Sequence, residues 1–400
     1  MKTLCGVAFV LCAALAMAGC AQTPDAVETV RLGECRELRV NGQAFFPLMN
    51  FYQSPKSFDH AASAGLNGYF MPGSKPPPKE YLDALWARQL YGVVPFDTEA
   101  VGHPALLAWL QPHEPDALKD GTVRTPPEEV VKAYGTIREN DTSRPVVLDF
   151  SPNFMLKAEF AQGGMSEDEK RKIYPQFARG GDILTYNVYP IWGHNKPEKM
   201  SWVAEAADDL RTLVGDRKPF WAMIETGKGA RGIPVDKQHD VSVEQIKAEV
   251  WMAITHGATG IIYFTHQFTP KFTEFGPDAA KQAGLRMIND QIACLAPIIL
   301  SPPPKTGVAV DLHGLNTVPP RQKSLAPAGW MARRHGGYAY VFVLHTGAGG
   351  CGAADVAVEG LRAGTRVEVH GTRRTIQADD GSFTDIGFAP YELRIYRIRM

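Results

Sequence analysis

The chain has no excess of charge of either sign: across 400 residues, 42 lysines and arginines stand against 43 aspartates and glutamates. Binding nucleic acid through its phosphates needs a basic face, so no nucleic-acid partner is expected. No run of like charge is long enough to make a solvated tail. Cysteine is scarce, at six residues, and no C-x-x-C pair occurs, which leaves a structural zinc site without its ligands. There is no internal repeat and no glycine-rich phosphate loop, so a doubly wound dinucleotide-binding sheet lacks its defining turn. Neither metal nor cofactor is expected.

Past the first twenty residues no apolar run approaches the ~20 residues that a spanning helix needs. The first twenty carry a different signal. Lys2 supplies a positive start, Gly6 to Ala16 a short apolar run, and Met17-Ala18-Gly19-Cys20 places small residues before a cysteine. This is the pattern of a secretory leader, and its end resembles a bacterial lipobox, with Met17 where leucine is usual. Residues 1–19 are therefore expected to be a signal peptide, Cys20 a lipidation site and 20–37 a tether. The expected location is the periplasm or outer-membrane surface, with the membrane reached through a lipid anchor. Cys35, Cys294 and Cys351 remain in the folded part, enough for one disulfide whose pairing the sequence does not name.

What is present is alternation. Short apolar runs at Phe45–Met49, Gly68–Met71, Gly92–Phe96, Leu106–Leu110, Pro145–Phe150, Asp182–Tyr186, Phe220–Ile224 and Gly260–Phe264 read as strands covered on both faces. Helix-start signals lie between them. Thr125-Pro126-Pro127-Glu128 offers an N-cap followed by prolines, and Ser166-Glu167-Asp168-Glu169 and Ser242-Val243-Glu244-Gln245 are capping boxes. The third crossover, Phe96 to Leu106, is too short for a full helix. Eight strands alternating with helices over roughly 250 residues is the pattern of a (β/α)8 barrel, here placed at 38–302. Ser301-Pro302-Pro303-Pro304 then reads as a linker. Strand-like runs at Tyr338–His345, Thr365–His370 and Glu392–Ile398 make 303–400 a small β-sandwich.

In such a barrel the chemistry sits where strands end. Asn50 and Tyr52 follow the first strand, Asp97 the third, and His113 and Glu114 the fourth. Asp149 lies near the end of the fifth. The sixth runs into Asn187, Tyr189 and Trp192, the seventh ends on Glu225, and the eighth leads to His266. Strands four and seven face each other across the mouth. Two carboxyl groups placed there suit hydrolysis of a glycosidic bond, which needs one to protonate the leaving oxygen and one to attack or to activate water. Tyr189, Trp192 and Trp221 are candidate sugar-stacking faces, and Trp109 and Trp251 read as packing residues.

The stretch His103-Pro104-Ala105-Leu106-Leu107-Ala108-Trp109, followed by Glu114-Pro115, resembles the strand-four signature of clan A glycoside hydrolases. Lys218-Pro219-Phe220-Trp221-Ala222-Met223-Ile224-Glu225 resembles their strand-seven segment, and Asn41-Gly42 through Gly65-Leu66-Asn67 their opening. The resemblance spans about residues 38 to 300. It implies Glu114 as acid/base and Glu225 as nucleophile of a retaining enzyme on β-glycosidic bonds, with a carbohydrate as substrate. His113, Asn50, Asp97, Asn187, Tyr189, Trp192 and His266 become candidate substrate contacts. His113 stands where most clan members have asparagine, and Phe264 where many have tryptophan, so no particular substrate follows. Two other readings remain open: a non-catalytic glycan-binding lipoprotein on the same scaffold, and a tethered interaction protein whose working part is the C-terminal region.

The leader makes a direct prediction. Expressed with its own N-terminus, the protein should partition with membranes, and Cys20→Ala should release it or stall its processing. A Cys20→Ala protein that stays membrane-bound and is processed like wild type would refute the anchor.

Overall fold

A computed structural model describes residues 25–73, 75–157, 164–230, 232–315, 323–325, 328–349 and 352–400. Cys20, its leader and Cys351 lie outside them. Eight parallel strands form a closed barrel: β1 (Leu48–Phe51), β2 (Gly68–Phe70), β3 (Tyr91–Pro95), β4 (Leu106–Leu110), β5 (Val146–Phe150), β6 (Ile183–Asn187), β7 (Phe220–Glu225) and β8 (Ile261–Phe264). They pair in chain order, and β8 closes on β1 through Ile261↔Leu48 and Tyr263↔Asn50. The helices are α1 (Asp59–Ala64), α2 (Pro78–Trp86), α3 (Pro127–Asn140), α4 (Glu167–Phe177), α5 (Trp202–Val214), α6 (Val243–Thr255) and α7 (Ala279–Ile299). This is a (β/α)8 barrel, and the third crossover lacks a helix, carrying one 3-10 turn at Thr98–Ala100. Beside that crossover lies a cavity of about 380 Å³, lined by Phe96, Leu110 and Ile137.

The strand periodicity of two sorts side chains between barrel interior and helix layer. Along β7, Trp221 and Met223 pack inside with Met49, Val93 and Ile262. Phe220, Ala222 and Ile224 pack outside with α5 and α6. Both faces are apolar, which is why the strands read as unbroken apolar runs.

Three local expectations are corrected. β1 starts at Leu48, not Phe45, because Phe45 ends a short antiparallel strand (Gln43–Phe45) and Pro47 has no N–H to give a ladder. The N-cap of α3 is Pro126, not Thr125: Pro127 holds the residue before it extended, at φ −63° and ψ 150°. The segment expected as a tether is folded from Val27 onward. Val27, Val30, Leu38 and Val40 join the interior cluster at the barrel end away from the strand C-termini. Arg144, buried, anchors them by donating to the carbonyls of Val27 and Glu28. A barrel end left open would expose Met49, Trp221 and their neighbours, and this segment covers them. The two serine capping boxes are both formed.

Among the described residues after α7 the elements are all β: β9 (Val308–Leu315), β10 (Lys323–Leu325), β11 (Ala328–His335), β12 (Tyr338–His345), β13 (Ala353–Val358), β14 (Arg366–Val369), β15 (Thr375–Gln377), β16 (Ser382–Ile386) and β17 (Leu393–Arg399). They form two antiparallel sheets, ordered β10-β9-β13-β16 and β11-β12-β17-β14-β15. Leu312, Val356 and Phe383 of the first share an apolar cluster with Val341, Val367 and Tyr396 of the second. β12 is buried on both faces. Ala339, Val341 and Val343 face that cluster, while Tyr340, Phe342 and Leu344 belong to the cluster around the barrel helices. Phe342 lies against Trp251 of α6 at 6.0 Å between ring centroids.

Emptying that contact should therefore act on the whole molecule. Phe342→Ala is expected to cost about 3–5 kcal/mol, the range for deleting a fully buried phenylalanine. Ile386→Ser, at a side chain 68% exposed, should stay within about 0.5 kcal/mol. Equal denaturation midpoints for the two variants would refute the packing.

Candidate active site

The C-terminal ends of the strands carry the polar residues, and two groups form there. The first is built at the end of β4. Glu114 has a left-handed backbone, φ 48°, although it is not glycine and precedes Pro115; such a conformation persists only where neighbours impose it. Its side chain is fixed by Asn187 at the end of β6, whose Nδ2 donates to Glu114 Oε1 at 2.8 Å. His113 Nε2 and an Arg124 guanidinium nitrogen both lie 3.8 Å from Glu114 Oε2. His113 Nδ1 in turn meets Asp149 Oδ2, and Thr185 donates to Asp149 Oδ1 at 2.8 Å. The result is a line of groups, Asp149, His113, Glu114 and Asn187, contributed by β5, the β4 end and β6. Glu114 is 22% exposed and Asp149 is wholly buried. Burial works against the imidazolium of His113, but Asp149 and then Glu114 outweigh it, so its pKa is raised above the ordinary value.

The second group surrounds Glu225, the last residue of β7. Glu225 is completely buried. Its Oε1 accepts the Ile191 N–H at 2.7 Å and its Oε2 accepts the Trp192 N–H, so the segment after β6 closes over it. Its carboxyl also meets that of Glu249 on α6. Burial pushes the Glu225 carboxyl up to about 7, against the lowering effect of Ile191, Glu249 and Trp192 as donors. Tyr189 lies near both groups: its phenol feels Asp149, Glu114, Glu225 and Glu249 together, and after burial those charges push its pKa up.

Aromatic rings fill the mouth around these groups. Phe264 packs against Phe51, Tyr189 and Trp192, with centroids 5.3, 5.1 and 4.8 Å away. His266 continues the stack to Phe268 and Phe272, which are 42% and 51% exposed. The His266 ring donates from Nε2 to the Tyr52 carbonyl at 2.5 Å.

The structure thus brings together Glu114, His113, Asn187 and Tyr189, and sets Glu225, Trp192 and His266 around the same mouth. Others lie elsewhere. Asn50 faces outward from β1, fully buried, and accepts from Thr265 at 3.1 Å. Asp97 caps the 3-10 turn after β3 by accepting the Glu99 N–H at 3.0 Å. Trp221 is packed inside the barrel near the start of β7, which excludes it as a stacking face at the mouth. Trp109 and Trp251 are buried packing residues. Among the described residues Cys35 and Cys294 are free thiols, and no helix is long and apolar enough to cross a membrane. Sequence reasoning missed Glu249. Its signal was an acid on the apolar side of α6, three residues after Ile246 and four before Ala253.

No family model matches the sequence, and no curated protein matches it. Solved structures do. A glycoside hydrolase family 5 protein from Bacteroides vulgatus is similar at a TM-score of 0.54 and 11% identity, covering 93% of each chain. An alpha-amylase from Geobacillus thermoleovorans, solved with acarbose, is similar at a TM-score of 0.53 and 9% identity, over 88% of this chain and 98% of that one. At such identities the likeness is one of fold. The class defined here is a (β/α)8-barrel protein with a C-terminal pair of β-sheets and carboxylates at the barrel mouth, whose structural neighbours are glycoside hydrolases.

The His113–Asp149 contact gives a testable sign. A histidine whose folded pKa is raised stabilises the fold fully below its unfolded value, about 6.5, and loses that contribution as pH rises through the raised value. Asp149→Asn should lower the His113 titration midpoint followed by imidazole NMR. An unchanged midpoint would show that Asp149 does not act on the ring.

Proposed function

We propose that this protein is a retaining glycoside hydrolase acting on β-glycosidic bonds of an oligo- or polysaccharide, with Glu114 as acid/base and Glu225 as nucleophile. The observation that carries the reading is the placement of these two carboxyls after β4 and at the end of β7, both close enough to act on the Tyr189 phenol. Glu114 is the solvent-reachable member, as a group that exchanges protons with water must be. Its imposed left-handed backbone and its bond from Asn187 hold the carboxyl in one orientation. Glu225 is the one furnished with N–H donors, which favour a carboxylate and orient it.

In the proposed reaction Glu225 attacks the anomeric carbon while Glu114 protonates the departing oxygen; Glu114 then takes a proton from water as the glycosyl-enzyme is hydrolysed. His113, held by Asp149, and Arg124 flank the Glu114 carboxyl and set its field. Tyr189, Trp192 and His266 line the approach and supply ring faces for a sugar. Glu225 is covered in this structure, so substrate must displace the Ile191–Trp192 segment to reach it. We further read the two C-terminal sheets as a sandwich domain that steadies α6 and α7, and the whole as an exported lipoprotein held to a membrane through Cys20.

A second reading, a non-catalytic glycan-binding lipoprotein, draws on that same complete burial of Glu225. Kinetics separate the two. Wild type should hydrolyse an activated aryl β-glycoside, with kcat/KM rising as pH passes through about 7, where Glu225 ionises. Glu225→Ala should abolish turnover on every substrate. Glu114→Ala should still form the glycosyl-enzyme from an activated substrate, and added azide should rescue it to give a β-glycosyl azide. Glycan binding without hydrolysis, or a Glu225→Ala protein with the wild-type rate, would sink the enzymatic assignment.

A further inference from the structure

Glu249 has no evident business where it lies. It sits on α6, fully buried, and among the described residues neither of its oxygens receives a hydrogen bond. Its neighbour is the carboxyl of Glu225. Two buried carboxylates in contact cannot both be charged, because each would stand unscreened against a like charge. One proton must therefore sit between them. Glu225 accepts backbone N–H groups from Ile191 and Trp192, and such donors stabilise an anion. Among the described residues Glu249 has no such donor to stabilise a charge. The asymmetry puts the charge on Glu225 and the proton on Glu249.

We propose that Glu249 is a neutral carboxylic acid whose O–H donates a hydrogen bond to the Glu225 carboxylate, and that it serves as the positioning residue for it. The inference rests on the proposed role of Glu225 as nucleophile. When the Ile191–Trp192 segment lifts for substrate, Glu225 loses backbone donors. The bond from Glu249, on a helix fixed by Phe342 and Trp251, remains. It keeps the carboxylate aimed and charged when the covering segment is open. The other groups facing the pair are phenols: Tyr189 after β6, Tyr186 on β6 and Tyr391 before β17. Burial raises the pKa of all three, so they remain neutral and leave Glu249 as the group that sets the Glu225 proton balance from the helix side. Beyond Tyr189 stand Asp149 and Glu114, with His113 and Arg124 as their cations.

The test uses the full-length protein and three variants. Glu249→Gln keeps a neutral donor, Glu249→Leu removes it while preserving apolar packing, and Glu225→Gln is the control for the acceptor. Infrared difference spectra of wild type minus Glu249→Gln at neutral pH should show a protonated carboxyl band that belongs to position 249. In pH–rate profiles Glu249→Gln should keep its acid limb near that of wild type. Glu249→Leu should move the limb upward by about one pH unit and lower kcat with little change in KM. Absence of the carboxyl band overturns the proton assignment. A Glu249→Leu profile superimposed on wild type overturns the positioning role. If no glycoside is turned over at all, the glycosidase reading and with it the positioning role fall, while the infrared band still decides the state of the pair.

Discussion

A carboxyl group buried at the end of a barrel strand has to be given partners by the rest of the chain, and much of this molecule is arranged to do so for Glu225. Its donors come from the segment after β6, which is held down by the Trp192 ring against Phe264. Its remaining side is met by Glu249 from the helix layer. Taking such a group out of water costs several kcal/mol when it stands alone. The loop closure, the aromatic stack and the acid on α6 are three parts of one answer to that cost.

The helix that carries Glu249 is itself held from outside. Trp251, two residues on, packs against Phe342 of β12. β12 is committed on both faces, to the barrel helices on one and to the second sheet on the other. The C-terminal sheets therefore bear on the helix that carries Glu249, and Tyr391 before β17 adds a phenol that feels the Glu249 carboxyl. A strand with both faces buried tolerates no register slip, because a shift of one residue exchanges the two sets of side chains.

The end of β4 solves a different problem. There the carboxyl stays partly in water, and orientation is what must be supplied. Asn187, His113 and Arg124 surround Glu114 on three sides, and Asp149 fixes the imidazole from below. The left-handed backbone at Glu114 is the conformational cost of this placement, offset by the bonds that the turned side chain makes.

The amino-acid sequence by itself determined the eight strands, the helix-free third crossover, both serine capping boxes and the polar residues at the strand ends. These depend on periodicity and on contacts within one turn of chain, which are written locally. It misplaced the N-cap of α3 by one residue, where two successive prolines compete for the same role. It took Trp221 for a mouth residue because the type of residue was right and its depth along the strand was not visible. Asp97 follows its strand as expected yet caps its own turn, while Asn50 lies within β1 and turns outward. What only the tertiary structure decided is which groups meet: Asn187 with Glu114 across 73 positions, Asp149 with His113, and Glu249 with Glu225. Those contacts join separate strands and layers. Residue spacing encodes the face a side chain takes on its own element, while the partner it finds there is set by barrel closure and by the packing of helices around it.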